Sequence, residues 1–381
     1  MRPIFKTDYG QDIKLMRHGG HWWAYGTLFL LVVLAPLAIG SYLQSQIVFV
    51  FIYSIVGVGL LILAGFTGQV SLGHAAFLAI GAYTAGYMQR LGVPFLVYLP
   101  LSVIISGVVG ALVGFPALRL AGIYLVIATI AFGFIAEEVA ARWESVTNGN
   151  DGLRIRPIVM FGTTLSREGH AFYYLCLGLL VVVMLLALNI LRSPTGRAFV
   201  AIRDSETAAK SLGVNLSVYK VAAFSISAAI TGLAGCLYAH KLSFISPEMF
   251  TLLLSLEFVI VILIGGVGSL HGAVLGSIFV VMVDPFLSFL KDDVPRAVGQ
   301  AAHTLGFANA GAVTDTLAAI GGAAGLKGAI YGVIIIVFII FEPYGLYGRW
   351  LKIKLYFELF PLYKKATFKR QKTYVKSERD R

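Results

Sequence analysis

Between His18 and Gln89 the chain carries no Asp, Glu, Lys or Arg. Wound as helix at about 1.5 Å per residue, a stretch of that length crosses a roughly 30 Å hydrocarbon core about three times. A single buried helix of a water-soluble domain cannot absorb it. The rest of the chain agrees, since only 13% of its 381 residues are charged, whereas soluble domains average about a quarter. Long apolar runs satisfy their backbone groups in lipid by becoming helices. The expected fold is therefore an all-α polytopic membrane protein.

Apolar segments bounded by charge, proline or turn residues fall near 26–46, 47–66, 71–89, 95–115, 121–141, 171–191, 220–240, 251–268, 270–290 and 327–344. These predict about ten transmembrane helices. The run from Tyr25 to Leu43 exceeds a signal-peptide core and is read as a retained span. With a cytoplasmic N-terminus, twenty-one of the thirty Lys and Arg fall on the cytoplasmic side, five of them between Arg192 and Lys220 and eleven from Arg349 to Arg381. The positive-inside rule then places both termini in the cytoplasm. The division is a cytoplasmic N-terminal segment (1–25), a membrane domain (26–344) with a cytoplasmic loop at 192–219 and an external loop at 291–326, and a basic cytoplasmic tail (345–381). The tail explains much of the net charge of +11 as a topology anchor on anionic lipid, with no nucleic acid required.

Residues 65–86, GFTGQVSLGHAAFLAIGAYTAG, crowd glycines and polar groups into the uncharged run. Taken singly, each such residue serves helix packing or a hydrogen bond to a neighbouring helix. Taken together, Gly68, Gln69, Ser71, Gly73 and His74 point to a broken helix at a pathway or gate, because interrupted backbone survives in a membrane only where protein or a wet cavity satisfies it. A partial echo, GGVGSLHGAVLG, runs from Gly265 to Gly276 and sets Gly265 and Gly268 opposite Gly65 and Gly68 and, with a two-residue slip, Ser269 opposite Ser71. Paired glycine-interrupted segments are a pointer to a transporter of two pseudo-repeated halves. Glu257 lies within an apolar run, while Glu137, Glu138 and Asp284 sit near expected span ends. Glu257 alone is a candidate intramembrane acid.

The 192–219 loop is too polar to span. Asp204 or Ser205 is suited to cap a short helix carrying Glu206, Ala208 and Ala209, which Gly213 would end. Cys176 and Cys236 lie in apolar runs and form no metal or disulfide pattern. Neither GxxxxGK[ST] nor HExxH occurs, so neither a phosphate-cradling loop nor that zinc site is available. No cofactor, metal site or catalytic residue is expected.

The 65–86 stretch, the block SPTGRAFVAIRDSETAAKSLGVNLSVYKVAAFSISAAITGLAGCLYAH and the block FISPEMFTLLLSLEFVIVILIGGVGSLHGAVLG together resemble permease subunits of branched-chain amino acid ABC importers, of the LivM-like kind. The resemblance covers most of residues 50–290. It implies a bacterial inner-membrane permease paired with a homologous LivH-like permease, two cytoplasmic ATPases and a periplasmic binding protein, with Leu, Ile and Val or, in some relatives, urea or short amides as cargo. It also implies that ETAAKSLG, Glu206 to Gly213, is an EAA-type coupling segment with Ala208, Ala209 and Gly213 at its small-residue positions, and that this segment, with Arg203 and Asp204 just before it, receives the ATPase stroke. The Ala/Gly-rich 297–328 stretch is longer than the family pattern. Glu342, in FEPYGLYGRW, stands where relatives commonly carry a basic residue. Two further classes stay open: an ion-coupled secondary carrier using Glu257, and, ranked last, an intramembrane enzyme using His74 with Ser71.

Overall fold

The computed structural model describes residues 19–120, 122–160, 162–289, 326–342 and 345–359. The expectations for residues 1–18, for most of the 291–326 loop, for the tail beyond residue 359 and for the Asp284 side chain lie outside the described residues. Each of the ten apolar segments contains a helix: α1 (Gly19–Ala38), α2 (Ser41–Leu60), α3 (His74–Arg90), α4 (Phe95–Ala117), α5 (Ile123–Arg142), α6 (His170–Arg192), then, after two short helices of the 192–219 loop, α7 (Pro194–Asp204) and α8 (Glu206–Ser211), α9 (Leu216–Leu242), α10 (Leu252–Gly265), α11 (Leu270–Ser288) and α12 (Leu326–Phe341). An eleventh long element, α13 (Gly345–Leu359), follows. Seven of the described helices are long and apolar enough to cross a membrane. With 17 residues, α3 rises about 25 Å, somewhat less than the hydrocarbon core.

The first two spans divide at Gly40, whose extended backbone (φ −66°, ψ 161°) precedes Ser41, and not at residue 46 as their polarity implied. Gln44 belongs inside α2 because its amide is accommodated there, donating to the Glu168 carbonyl at 3.3 Å. The continuous stretch Ser41–Phe66 is the central post of the bundle, with 83% of its apolar window buried, against 17% for α5. Around it pack α6, α9, α10 and α11. The α9 helix also lies against α3 and α4 at backbone distance. A Cβ on Gly81 would stand 2.1 Å from the Gly232 carbonyl oxygen, and one on Gly235 would stand 2.1 Å from that of Leu78. Small residues at such crossings replace the hydrophobic drive that lipid cannot supply between helices.

Alternation of the helices gathers residues 67–73, 118–120, 193–215 and 266–269 at one end of the bundle and 91–94, 143–160 and 243–251 at the other. The second end carries what an all-α expectation omitted, namely four strands of two or three residues. Leu153 pairs with Ile245 and Arg154 with Phe244, while Ile158–Met160 and Thr163–Leu165 form a hairpin. These runs are too short for alternation to announce them in sequence. Arg156 fastens this cap to the helices. Its N–H donates to Gln89 Oε1 at 2.8 Å and its carbonyl accepts from Gln89 Nε2 at 3.0 Å.

Candidate pathway and coupling site

The last turn of the central post widens into a π-helix, Leu61–Phe66. The chain then leaves helical geometry until His74. Gly68 turns it with φ +72°, a conformation that side chains other than glycine rarely adopt, and the Gln69 N–H returns to the Leu63 carbonyl at 3.1 Å. Thr67, Gln69, Ser71 and His74 are all buried, which is the condition under which irregular backbone is tolerated in a membrane.

Three other helices supply the partners. Thr129 Oγ1 on α5 accepts the Leu72 N–H at 3.0 Å. Ser255 Oγ on α10 accepts the Ala75 N–H, also at 3.0 Å. His74 lies 3.1 Å from Ser71 Oγ through Nδ1 and 2.8 Å from Ser227 Oγ on α9 through Nε2. The orphan donors at the N-terminus of α3 are thus taken up by hydroxyls instead of water. His74 has 0% exposure and both ring nitrogens occupied, so it acts as a strut. With a hydroxyl where an orienting carboxylate would sit, the His74–Ser71 pair lacks the arrangement a nucleophile needs.

The echo segment lies against this one. A Cβ on Gly65 would come within 2.4 Å of the Val267 carbonyl oxygen. Ser269 Oγ accepts the N–H two residues on, at His271 (3.2 Å), as Ser71 Oγ accepts that of Gly73 (3.4 Å). Gly265 is packed against the Gly272 backbone, whereas Gly268 faces open space, and the positive φ of this turn falls on Gly266 (+111°). Glu257 is half-buried and accepts from the Tyr53 hydroxyl at 3.0 Å. It stands eight residues before Gly265, about 12 Å along α10, and two residues after Ser255.

The 192–219 loop holds two helices in place of the single one expected. Ser205 breaks them with extended backbone (φ −165°, ψ 113°), and its hydroxyl caps α8 by accepting the Ala208 N–H. Ser205, and not Asp204, is the cap. Gly213, with φ +83°, follows the last turn. The preceding α7 was hidden by its polarity, but Pro194 at its start and buried Ala198, Phe199 and Ile202 at helical spacing were its signal. Glu206 pairs with Lys220 of α9 at 2.7 Å. Ala209 is buried, while Ala208, Lys210 and Gly213 face outward together with Leu212, which is 80% exposed. Arg203 turns the other way. Its Nη1 donates to the Gly65 carbonyl at 3.1 Å, while Nε and Nη2 both reach Asp204 Oδ1. The hydroxyls of Thr129, Ser227 and Ser255, and the Lys220 ammonium, are bonding partners of these segments that sequence reasoning missed.

Residues 42–301 match the family described as branched-chain amino acid transport system / permease component. The chain is 37% identical over 255 residues to the high-affinity branched-chain amino acid transport system permease protein LivM of Salmonella typhimurium, covering 61% of this chain and 60% of the relative. It is 35% identical over 279 residues to LivM of Escherichia coli, covering 67% and 66%. A probable branched-chain amino acid transport permease protein LivM of Methanocaldococcus jannaschii is 28% identical over 52% of this chain and 58% of its own. The chain thus spans less than two thirds of each of these relatives. No solved structure matches it.

Proposed function

The chain belongs to the branched-chain amino acid transport permease family, and we propose that it is the transmembrane subunit of an ATP-driven ABC importer for branched-chain amino acids. In this reading it supplies half of a translocation pathway, beside a homologous LivH-like permease, and is driven by two cytoplasmic ATPases. A periplasmic binding protein delivers cargo across the bacterial inner membrane. Hydrolysis resides in the ATPases, as the chain has no phosphate-cradling GxxxxGK[ST] loop.

The observation that carries this reading is the α7–α8 module. It presents an outward face of Ala208, Lys210, Leu212 and Gly213, while its inner side touches the broken segment through Arg203. A partner that pushes on the outward face thereby acts on Gly68, Gln69, Ser71, Gly73 and His74. Gly265, Gly268 and Ser269 form the facing half of the gate, and Glu257 lines the pathway further along. The matching Ser71 and Ser269 hydrogen bonds support two pseudo-repeated halves. The Lys/Arg distribution supports ten spans with both termini cytoplasmic, and the basic tail is proposed to lie on anionic lipid.

The test is co-expression with the candidate partners, followed by uptake into proteoliposomes. ATP-dependent leucine, isoleucine and valine uptake that urea does not compete is expected. Competition by urea or short amides would move the cargo to that class. Uptake by the isolated chain under a proton or sodium gradient, without ATPases, would overturn the importer reading in favour of a secondary carrier.

A further inference from the structure

Resting on the coupling reading above, we propose that Arg203 is a positioning residue that acts inside the membrane domain: a latch that holds the broken segment at 66–73 in its bent form until α7 moves. Arg203 was grouped by its motif with residues that meet the ATPase. Its geometry turns it toward the gate. The guanidinium donates to Gly65, at the π-helix end of the central post. Its aliphatic stem covers Gly68, where a Cβ would come within 3.2 Å of Arg203 Cγ. The neighbouring Asp204 holds the other two guanidinium nitrogens at 3.0–3.1 Å. That fixes the planar fork and leaves one nitrogen aimed at the carbonyl. Such a fork is pre-organised in a way that a flexible ammonium is not.

A second, independent observation points the same way. Gln69, 5% exposed, has neither side-chain amide atom hydrogen-bonded in this arrangement. A buried, unpaired amide is costly, so the bent form is one the segment would leave if a neighbour did not retain it. The module's Glu206–Lys220 ion pair and Phe199–Tyr219 ring contact run to α9 and not to the broken segment. Arg203 is therefore the polar connection, among the described residues, from the coupling loop to the gate. Displacing α7 toward or away from the bundle changes the Gly65 bond first. The segment is then free to rewind or swing, and Gln69 can find partners.

The test uses Thr67→Cys as reporter in the full importer, since Thr67 is buried in the same segment and Gln69 stays in place. Native Cys176 and Cys236 are both buried, so a water-soluble maleimide reads the new thiol over a low background. With Arg203 present, slow labelling that accelerates during ATP turnover is expected. In Arg203→Ala, labelling without nucleotide should rise by about tenfold or more, the scale set by a charge-assisted hydrogen bond. Leucine carried per ATP hydrolysed should fall by a similar factor with assembly intact. Arg203→Lys should restore part of both, and Asp204→Asn should lie between. Unchanged labelling in Arg203→Ala and Asp204→Asn, or wild-type stoichiometry in Arg203→Ala, overturns the latch. If Arg203→Ala does not fold, Arg203→Lys and Asp204→Asn carry the same comparison. Labelling also works on the isolated chain without partners. Absent leucine uptake by the wild-type assembly thus defeats the proposed function, while the latch is defeated only by the readouts named above.

Discussion

Gly73 and Gly268 both lie in the irregular turns that lead into helices, α3 and α11, yet replacing each with alanine should have different consequences. At Gly73 a Cβ would stand 2.4 Å from the Thr129 carbonyl oxygen, whereas at Gly268 it would meet nothing within 4 Å. The backbone of Gly73 (φ −109°, ψ 17°) lies in the bridge region open to alanine, so the cost there is steric. Restoring ordinary contact requires α5 to retreat by about 1 Å, and overpacking of this kind costs about 1–3 kcal/mol. The same movement strains the bond from the Leu72 N–H to Thr129 Oγ1, worth about 1 kcal/mol. Against that, only 17% of the apolar window of α5 is buried, so α5 yields more easily than a core helix would. The lower part of the range follows, about 2 kcal/mol in all. Gly268→Ala should stay within about 0.5 kcal/mol of wild type. Thermal unfolding of the purified full chain in detergent reads the difference as a midpoint lower by a few degrees for Gly73→Ala alone. Equal midpoints for the two variants, or a lower one for Gly268→Ala, would refute the reasoning.

The Glu206–Lys220 pair should respond asymmetrically. Glu206→Ala strands an ammonium that is 5% exposed and should cost about 3 kcal/mol. Lys220→Met leaves a half-exposed carboxylate facing water and should cost under about 1 kcal/mol; thermal midpoints of the two variants check this order. Ala208→Glu places charge on the exposed face of α8, so the chain should fold and melt as wild type while ATP hydrolysis by the assembled importer is uncoupled from uptake. Normal uptake would remove Ala208 from the coupling face. His74→Gln should weaken the fold more than it alters cargo affinity, since both ring nitrogens serve neighbouring hydroxyls. A large rise in the half-saturating leucine concentration with unchanged thermal midpoint would contradict the strut.

The ten apolar segments were readable because charge is costly in lipid and its absence is hard to mistake. The broken segment was readable as a unit because its glycines and hydroxyls are dense. What hid the rest differs from place to place. Gln44 looked like a span end, since sequence does not reveal the Glu168 carbonyl that accommodates it. Ser227, Ser255 and Thr129 are single hydroxyls on distant apolar helices, and only their convergence on α3 gives them a role. Gly266 and Gly268 are the same residue two positions apart, and the positive φ that separates them is a property of the turn. Arg203 was placed in the right loop, but its bond to the Gly65 carbonyl was not readable, because a motif records spacing and not direction.

The α3 helix is fastened at both tips. Hydroxyls from α5, α9 and α10 hold its beginning, and Gln89, one residue from its end, grips Arg156 of the strand cap in both directions. A rod of about 25 Å clamped in this way behaves as a rocker, and a tilt of about 5° moves one tip by about 2 Å relative to the other. In the proposed importer a displacement at the glycine end would reappear at the cap, so α3 would tie the two ends of the bundle to each other.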